Sequence, residues 1–434
     1  MFSIKSKVIR NASWIIICRV VQSLLGLVIS MLTARYLGPS NYGLINYAAS
    51  VVAFVVPIMQ LGLNNIMVQE IVDSQDSEGT ILGTATIMSF CSSLFCVAGV
   101  ICFSLIANYG ERDTIVVVAL YSVLLICQSI ELVQYWFQAK YLSKYTSLTM
   151  LAAYVVVSIY KIFLLATGKS VYWFAISNAF DYFIIAVVLL FLYKRLGGKS
   201  FHFSRVTAKR MFQKSKYYII SGLMVTVFAQ TDRIMLKLMI DNTAAGYYSA
   251  AVACSGLTGF VFSAIIDSAR PSIFESKKIS EKAFEKNVSR LYSVIIYLSL
   301  AQSVLMTLFA SVIIRILYGQ QYLPAIPALQ IVVWYTTFSY MGAVRNIWML
   351  AEEKQKYLWT INLTGALANV VLNYCLIPYL GIIGASLASL ITQFFTNVFI
   401  GYVFKPIKDN NRIMANGLNP KNLIDIVHKA RKAD

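Results

Sequence analysis

Charged side chains inside apolar segments are the residues of this chain with the greatest potential for chemistry. Six basic and four acidic residues are placed in this way. They are Arg19, Lys161, Arg233, Lys237, Arg315 and Arg345, and Glu131, Asp181, Asp232 and Asp267. Each costs roughly 2.5–3.5 kcal/mol at the centre of a membrane-spanning helix, so each is expected to face a cavity or a partner. Cations in that position bind anions, and buried acids can take up a proton or a metal cation.

A long side chain near a helix end has a second option, because it can extend its charge into the lipid headgroups. That interpretation is favoured for Arg315, whereas both interpretations stay open for Lys161 and Arg345. Asp267 is close enough to a helix end to be solvated. Asp181 is the most central acid, and we expect it to be paired between helices or protonated.

Three apolar segments carry polar residues at helical spacing. The stripes are Arg19, Gln22 or Ser23, Gly26, Ser30 and Thr33; Asn46, Ser50, Pro57, Gln60 and Asn64; and Gly222, Thr226, Gln230, Arg233 and Lys237. Small and hydroxyl residues also mediate plain helix packing, and that alternative stays open for the serines and glycines. It does not account for the cations. The stripes therefore predict an aqueous cavity with positive walls between the two halves of the chain, which would attract an anionic ligand.

The elements that position these residues are predicted to be membrane-spanning helices. Apolar residues make up 58% of the 434 and charged residues 13%, where a soluble protein carries about 25% charged residues. Apolar stretches of twenty or more residues recur, and each is long enough to cross a bilayer core of about 30 Å. We predict about twelve spans: 13–36, 43–68, 80–106, 114–137, 146–167, 170–193, 215–240, 244–268, 291–317, 324–350, 357–378 and 381–404.

The positive charge is distributed unevenly over the predicted loops. The formal net charge is +18, which in a soluble protein would indicate a nucleic-acid partner. Most of the basic residues fall on one side of the predicted spans, and only Arg35, Arg112 and Lys169 fall in the opposite loops. By the positive-inside rule both termini are cytoplasmic, and nucleic acid is not an expected partner.

The longest predicted connection divides the chain into two six-helix lobes. We predict an N-terminal lobe at 1–193, a cytoplasmic linker at 194–214, a C-terminal lobe at 215–404 and a basic cytoplasmic tail at 405–434. A faint internal repeat, which sets Gly43 on Gly246, supports the division. Repeats of this parallel type place substrate sites between the halves.

Several kinds of site are disfavoured. The two histidines, His202 and His428, fall in polar loops, so neither a zinc triad nor a Ser-His-Asp triad can form within the spans. The seven cysteines are scattered singly, and we interpret them as small core residues. No cofactor is expected. The first apolar run is too long for a signal peptide and is expected to remain as the first span.

Six short segments together resemble the polysaccharide transport family of bacterial flippases, in the multidrug/oligosaccharidyl-lipid/polysaccharide superfamily. They are LGPSNYG at 37–43, DRIML at 232–236 with AGYYSAA at 245–251, YGQQYLPAIPAL at 318–329, and NVVLN at 369–373 with IPYLGIIGA at 377–385. Their order and spacing are the specific feature. One departure is Gln69-Glu70, where members of the family often have Arg-Glu.

The resemblance implies an all-α integral membrane protein with two lobes around a central cationic cavity. It also implies a flippase that carries undecaprenyl-diphosphate-linked oligosaccharide repeat units of O-antigen or capsule across the bacterial inner membrane by alternating access. Expected partners are this substrate, membrane lipids, and a polysaccharide polymerase with its chain-length regulator. We expect the substrate to be bound by the residues Arg19, Asn46, Gln60, Asn64, Arg233, Lys237 and Arg270. Within that set the cations hold the diphosphate, with Arg270 at the cytoplasmic mouth, and the amides face the sugars.

Asp232 has two open interpretations, a structural ion pair with Arg233 or uptake of the H⁺ or Na⁺ that couples transport. Two other functions also remain. A drug/cation antiporter of the same superfamily would favour acidic groups in its cavity. A membrane polysaccharide polymerase would be an enzyme and would need a sizeable outer loop, which is not expected here.

Overall fold

The computed structural model describes the backbone of residues 2–73 and 77–420 and the side chains of residues 18–73 and 77–420. The basic side chains of Lys5, Lys7 and Arg10 and the tail residues 421–434 lie outside this range. All regular elements in the described ranges are helices, which confirms the all-α prediction. By their internal contacts these residues form two compact units, with the division between Leu238 and Met239.

The described residues of the first unit form nine α-helices. They are α1 (Phe2–Met59), α2 (Met67–Asp73), α3 (Glu78–Ala107), α4 (Arg112–Ser122), α5 (Leu124–Gln128), α6 (Gln134–Ala139), α7 (Ser143–Ala166), α8 (Val171–Arg195) and α9 (Arg205–Met239). Short 3₁₀ turns occupy Leu63–Asn65 and Ser129–Val133. The helix α9 covers the predicted seventh span up to Met239. The prediction assigns this span to the C-terminal lobe, yet all of α9 except its last residue belongs to the first unit. The lobe boundaries themselves stay a prediction.

Up to residue 420, where the described part of the chain ends, the second unit contains seven α-helices. They are α10 (Asn242–Ser255), α11 (Gly259–Ile279), α12 (Glu281–Leu317), α13 (Ile326–Ala351), α14 (Leu358–Phe394), α15 (Ile400–Val403) and α16 (Lys408–Gly417). A π-helical turn, Phe395–Phe399, joins α14 to α15. The hydrophobic core of the second unit contains Tyr292, Phe284 and Trp348. The amphipathic helix α16 packs on α12, and its residues Ile413 and Met414 belong to the same core.

Within the described ranges, eight helical segments are long and apolar enough to cross a membrane, and the bent pair α10–α11 is a ninth. Two of the eight are long enough for two predicted spans each. They contain breaks at Gly38 (φ 72°) and Gly381 (φ 57°), where the left-handed backbone favours glycine. The chain is therefore a multi-pass membrane protein, and the number twelve stays a prediction.

The distribution of side chains is that of a protein surrounded by lipid. Large apolar side chains such as Phe95, Ile106 and Leu308 are exposed, while serines such as Ser89 and Ser93 are buried. Small polar residues let helix backbones approach closely, and their hydroxyls bond to helix carbonyls. Three of the seven cysteines, at positions 91, 102 and 375, are exposed. Our interpretation of every cysteine as a core residue is wrong for these three, because apolar side chains can face lipid as well as the core.

Two predicted boundaries are also wrong. The second span was predicted to run to residue 68, but α1 ends at Met59, and Leu61 and Gly62 have φ values of 51° and 66°. A Cβ on Gly62 would lie 2.5 Å from the carbonyl oxygen of Ser215, so this turn also lets α9 approach closely. The loop predicted at 269–290 is largely helical. There α11 runs to Ile279, and Ser280 caps the next helix by accepting a bond from Ala283 N at 3.2 Å.

Candidate functional site

Arg233 is the half-buried cation of α9 that keeps hydrogen-bonding capacity. Its Nη1 donates to Gln230 Oε1 at 2.9 Å, and Ser50 of α1 donates to the same oxygen at 2.9 Å. Its Nε is buried and has no hydrogen-bond partner among the described residues. No carboxylate of the described residues forms an ion pair with it. This guanidinium can therefore still bind an acceptor such as a phosphate oxygen.

Lys237 lies one turn further along α9 and is already bound within the first unit. It is 5% exposed, and its Nζ contacts Asn108 Oδ1 and pairs with Glu111 Oε2 at 2.7 Å. Asn108 in turn donates to the hydroxyl of Tyr47 at 3.0 Å, and the ammonium lies 5.2 Å from the Tyr47 ring centroid. In this conformation the predicted phosphate ligand Lys237 joins α9 to the turn between α3 and α4.

Glu111 lies in that turn, outside the spanning segments. Burial acts to raise the pKa of its carboxyl, but hydrogen bonds from Lys237 and Thr114 and the charge of Lys237 outweigh burial, so the pKa is lowered. Glu111 is therefore ionised when it pairs with Lys237. Sequence reasoning missed both Glu111 and Asn108, because nothing in a short loop indicates which helix end packs beside it.

Asp232, the predicted ion-coupling residue, is 5% exposed on the buried side of α9. The expected ion pair with Arg233 is not formed among the described residues, and uptake of a proton or sodium by Asp232 stays a prediction. The cytoplasmic half of α9, by the predicted topology, is held by Glu70 of α2. This buried carboxylate pairs with Arg210 at 3.2 Å and Lys214 at 2.5 Å.

The predicted sugar ligands do not share one helix. Asn46 lies on α1, and its Nδ2 donates to Tyr42 O at 2.8 Å. Gln60 follows the end of α1, and Asn64 lies in the 3₁₀ turn, where its Oδ1 accepts from Asn65 at 2.9 Å. The prediction of one helical stripe through Asn46, Gln60 and Asn64 is therefore wrong, because the left-handed residues after Met59 end the helix. Their contact with sugars stays a prediction.

Arg19 lies on α1 with an exposed side chain that has no ion pair or hydrogen bond to described residues. Arg270 belongs to the second unit, on α11, and pairs with Asp267 at 3.0 Å. Both members of this pair line a cavity of about 310 Å³ that also contains Asn346 of α13. The exposed pair agrees with a solvated Asp267, and the role of Arg270 at the cytoplasmic mouth stays a prediction.

The remaining intramembrane cations differ in their surroundings. Arg315 is exposed at the end of α12, as extension into the headgroups requires. Arg345 is 4% exposed and donates from Nη1 to Thr396 O at 2.5 Å, in the π-helical turn. The Arg345 side chain is therefore packed inside the second unit and does not extend into the lipid headgroups. Lys161 of α7 donates to Asn178 Oδ1 of α8 at 3.1 Å and lines a cavity inside the first unit.

Comparison with known proteins places the chain in a family. A family model described as "Polysaccharide biosynthesis protein" matches residues 8–277, which is more than half of the chain. The chain belongs to this family. An uncharacterized membrane protein of Methanocaldococcus jannaschii is 29% identical over 248 residues, which are 53% of this chain and 48% of that protein. The chain thus spans about half the length of this curated relative.

Solved structures show which fold this polysaccharide biosynthesis family member adopts. The lipid II flippase MurJ in its inward closed conformation matches with a TM-score of 0.72 and 16% identity, over 93% of this chain and 90% of that chain. An inward-facing multidrug resistance MATE family transporter of the MOP superfamily matches with a TM-score of 0.68 and 13% identity, over 91% and 95% of the two chains. At these identities the likeness shows the fold alone, which this chain shares with a lipid II flippase and a multidrug resistance transporter.

Proposed function

We propose that this polysaccharide biosynthesis family member is a flippase. Its substrate is an undecaprenyl-diphosphate-linked oligosaccharide repeat unit, of O-antigen or capsule. It moves this unit from the cytoplasmic to the outer leaflet of the bacterial inner membrane by alternating access, with both termini in the cytoplasm. Support comes from the family and from the fold shared with a lipid II flippase. The observation that carries the proposal is the incompletely bound guanidinium of Arg233 on a spanning helix.

A diphosphate that leaves water needs donors to replace its hydration. Arginine suits this task because its planar group makes two parallel hydrogen bonds to phosphate oxygens. Arg233 is held from one side by Gln230, and its Nε is free of described partners. We assign the diphosphate to Arg233, with Arg19 as a second cation. Lys237 would join them only in a conformation that releases Glu111.

The two other functions fit the described residues less well. A drug/cation antiporter shares the fold, as the multidrug transporter match shows, but the Arg233 guanidinium on α9, which has no carboxylate partner among the described residues, repels a cationic drug. A polysaccharide polymerase would need an outer loop with catalytic groups. The turn between α3 and α4, which is an outer loop by the predicted topology, is only four residues long, and its Glu111 is already paired with Lys237. We therefore propose transport without covalent chemistry or a cofactor.

The test is flipping of a fluorescent undecaprenyl-diphosphate oligosaccharide in vesicles that contain the purified protein, with a membrane-impermeant quencher reporting the outer leaflet. We expect Arg233→Ala to slow flipping at least tenfold, and Arg233→Lys to retain part of it. Arg315→Ala is the matched control, because it removes an exposed arginine of α12 and should leave the rate unchanged.

Two results would contradict the proposal. One is wild-type protein that inserts correctly and moves no lipid-linked oligosaccharide. The other is an Arg233→Ala rate equal to that of the Arg315→Ala control. Imposed pH and sodium gradients test the coupling ion in the same vesicles. A rate that responds to neither gradient would remove the coupling role of Asp232 and leave the flippase assignment in place.

A further inference from the structure

A polar cavity inside the first unit is separate from the residues assigned to the diphosphate. It has a volume of about 180 Å³ and lies between α1, α4, α7 and α8. Lys161, Asn178, Asn46 and Thr33 contribute polar groups to its wall. The volume corresponds to about six water molecules at ~30 Å³ each. It is comparable with one sugar ring and too small for two.

Gly26 makes room for one wall of this cavity. A Cβ at position 26 would lie 2.7 Å from the hydroxyl of Tyr154, so glycine lets that hydroxyl lie against α1. Tyr121 and Phe174 add further aromatic surface. An aromatic wall beside polar groups suits a ligand with both apolar and hydroxyl surface.

The polar groups of the wall retain both donors and acceptors. Lys161 Nζ uses one of its three protons, on Asn178 Oδ1. Thr33 is 8% exposed, and its Oγ1 has no hydrogen-bond partner among the described residues. Asn46 uses its Nδ2 on Tyr42 O, and no donor of the described residues reaches its Oδ1. Lys161, Thr33 and Asn46 thus offer two ammonium protons, one hydroxyl and one amide oxygen to a ligand.

This set of groups distinguishes between classes of ligand. A metal cation would need several acceptors and would be repelled by Lys161. A small anion such as a carboxylate cannot donate to Asn46 Oδ1, and it would leave the aromatic wall without a contact. A ring with several hydroxyls matches the mixed donors and acceptors of the wall, because each hydroxyl both donates and accepts.

We propose that this cavity binds one neutral pyranose ring of the transported oligosaccharide. Lys161 donates to sugar oxygens, Thr33 and Asn46 bond to sugar hydroxyls, and the aromatic wall contacts the carbon face of the ring. This inference rests on the proposed function for the origin of the sugar, but binding of a single ring can be measured without transport.

The test is saturation-transfer NMR on the purified full-length protein in detergent micelles. The probes are the methyl glycosides of glucose, galactose, N-acetylglucosamine and glucuronic acid. We expect saturable binding of at least one neutral glycoside, weakened about tenfold by Lys161→Met and by Thr33→Val. Lys169→Met is the matched control, because the side chain of Lys169 is exposed and outside the cavity, and it should bind like wild type.

Three results would overturn the inference: no saturable binding of any probe to wild type, equal binding by both cavity variants and wild type, or a preference of more than tenfold for the glucuronide. If Lys161→Met does not fold, the binding measured for Thr33→Val tests the inference, because this substitution removes one hydroxyl at nearly constant volume. Flipping without ring binding would remove this inference alone. Ring binding without flipping would remove the flippase proposal alone.

Discussion

The ion pair between Lys237 and Glu111 predicts an unequal response to removing either partner. The two atoms are 2.7 Å apart, and the side chains of Lys237 and Glu111 are 3% and 49% exposed. Unit charges about 3 Å apart attract by about 5–6 kcal/mol at an effective dielectric constant of about 20. Water at the half-exposed carboxylate and the desolvation of the ammonium reduce this value, and we expect a net coupling of about 2 kcal/mol.

Glu111→Gln leaves a buried ammonium with a single amide partner, so we expect it to lower the free energy of unfolding by about 2 kcal/mol. Lys237→Met removes the buried charge and leaves a carboxylate that water can reach, so the expected loss is below about 1 kcal/mol. The double variant should therefore resemble Lys237→Met. Unfolding in detergent micelles, followed by fluorescence of the six tryptophans, measures all three variants. Glu275→Gln is the control for an exposed, unpaired glutamate.

The pKa of Glu111 fixes the direction in which the stability of the protein changes with pH. Because the folded-state pKa of Glu111 is lowered from its ordinary 4.5, its stabilising contribution is complete above that value and is lost as the pH falls through the folded-state pKa. Wild type should therefore lose more stability on acidification than Glu111→Gln. The reasoning is refuted if Lys237→Met is as damaging as Glu111→Gln, if the two losses add in the double variant, or if both proteins respond equally to acid.

Three further predictions concern the fold and its orientation. Gly62→Ala should lower the free energy of unfolding by at least about 2 kcal/mol, because a left-handed residue and a backbone contact are both affected; Gly99→Ala, in open space within α3, should be neutral or stabilising in the same assay. Asp241→Ala should cost about 1 kcal/mol, because the carboxylate caps α10 by accepting from Ala244 N at 2.7 Å, and a loss below about 0.3 kcal/mol in the unfolding curve would contradict the cap. Lys199→Cys in a cysteine-free background should react with an impermeant maleimide only when the cytoplasmic side is exposed, and labelling of intact cells would reverse the predicted topology.

Much of the fold could be predicted from local sequence. Apolar length alone indicates membrane helices, but the helix that begins after Ser280 extends into a region predicted as a loop, because hydropathy does not mark its polar first turns. The turn at 60–62 could not be predicted, because Leu61 is an ordinary apolar residue whose left-handed conformation is set by packing. For the same reason the sequence placed Gln60 and Asn64 on a helix that ends before them.

Some features of the candidate site could likewise be predicted from the sequence, whereas others depend on the tertiary structure. The sequence by itself determined that Arg233, Lys237 and Lys161 lie in spanning helices, because a charge in an apolar run is visible without knowledge of its neighbours. Only the tertiary structure decided that Lys237 is paired with Glu111, which is 126 residues away, while Arg233 keeps free donors. It also decided that Lys161 lines a cavity and donates to Asn178 of the neighbouring helix. Each of these outcomes depends on the rotation and packing of one helix against another, which hydropathy and loop charge do not specify.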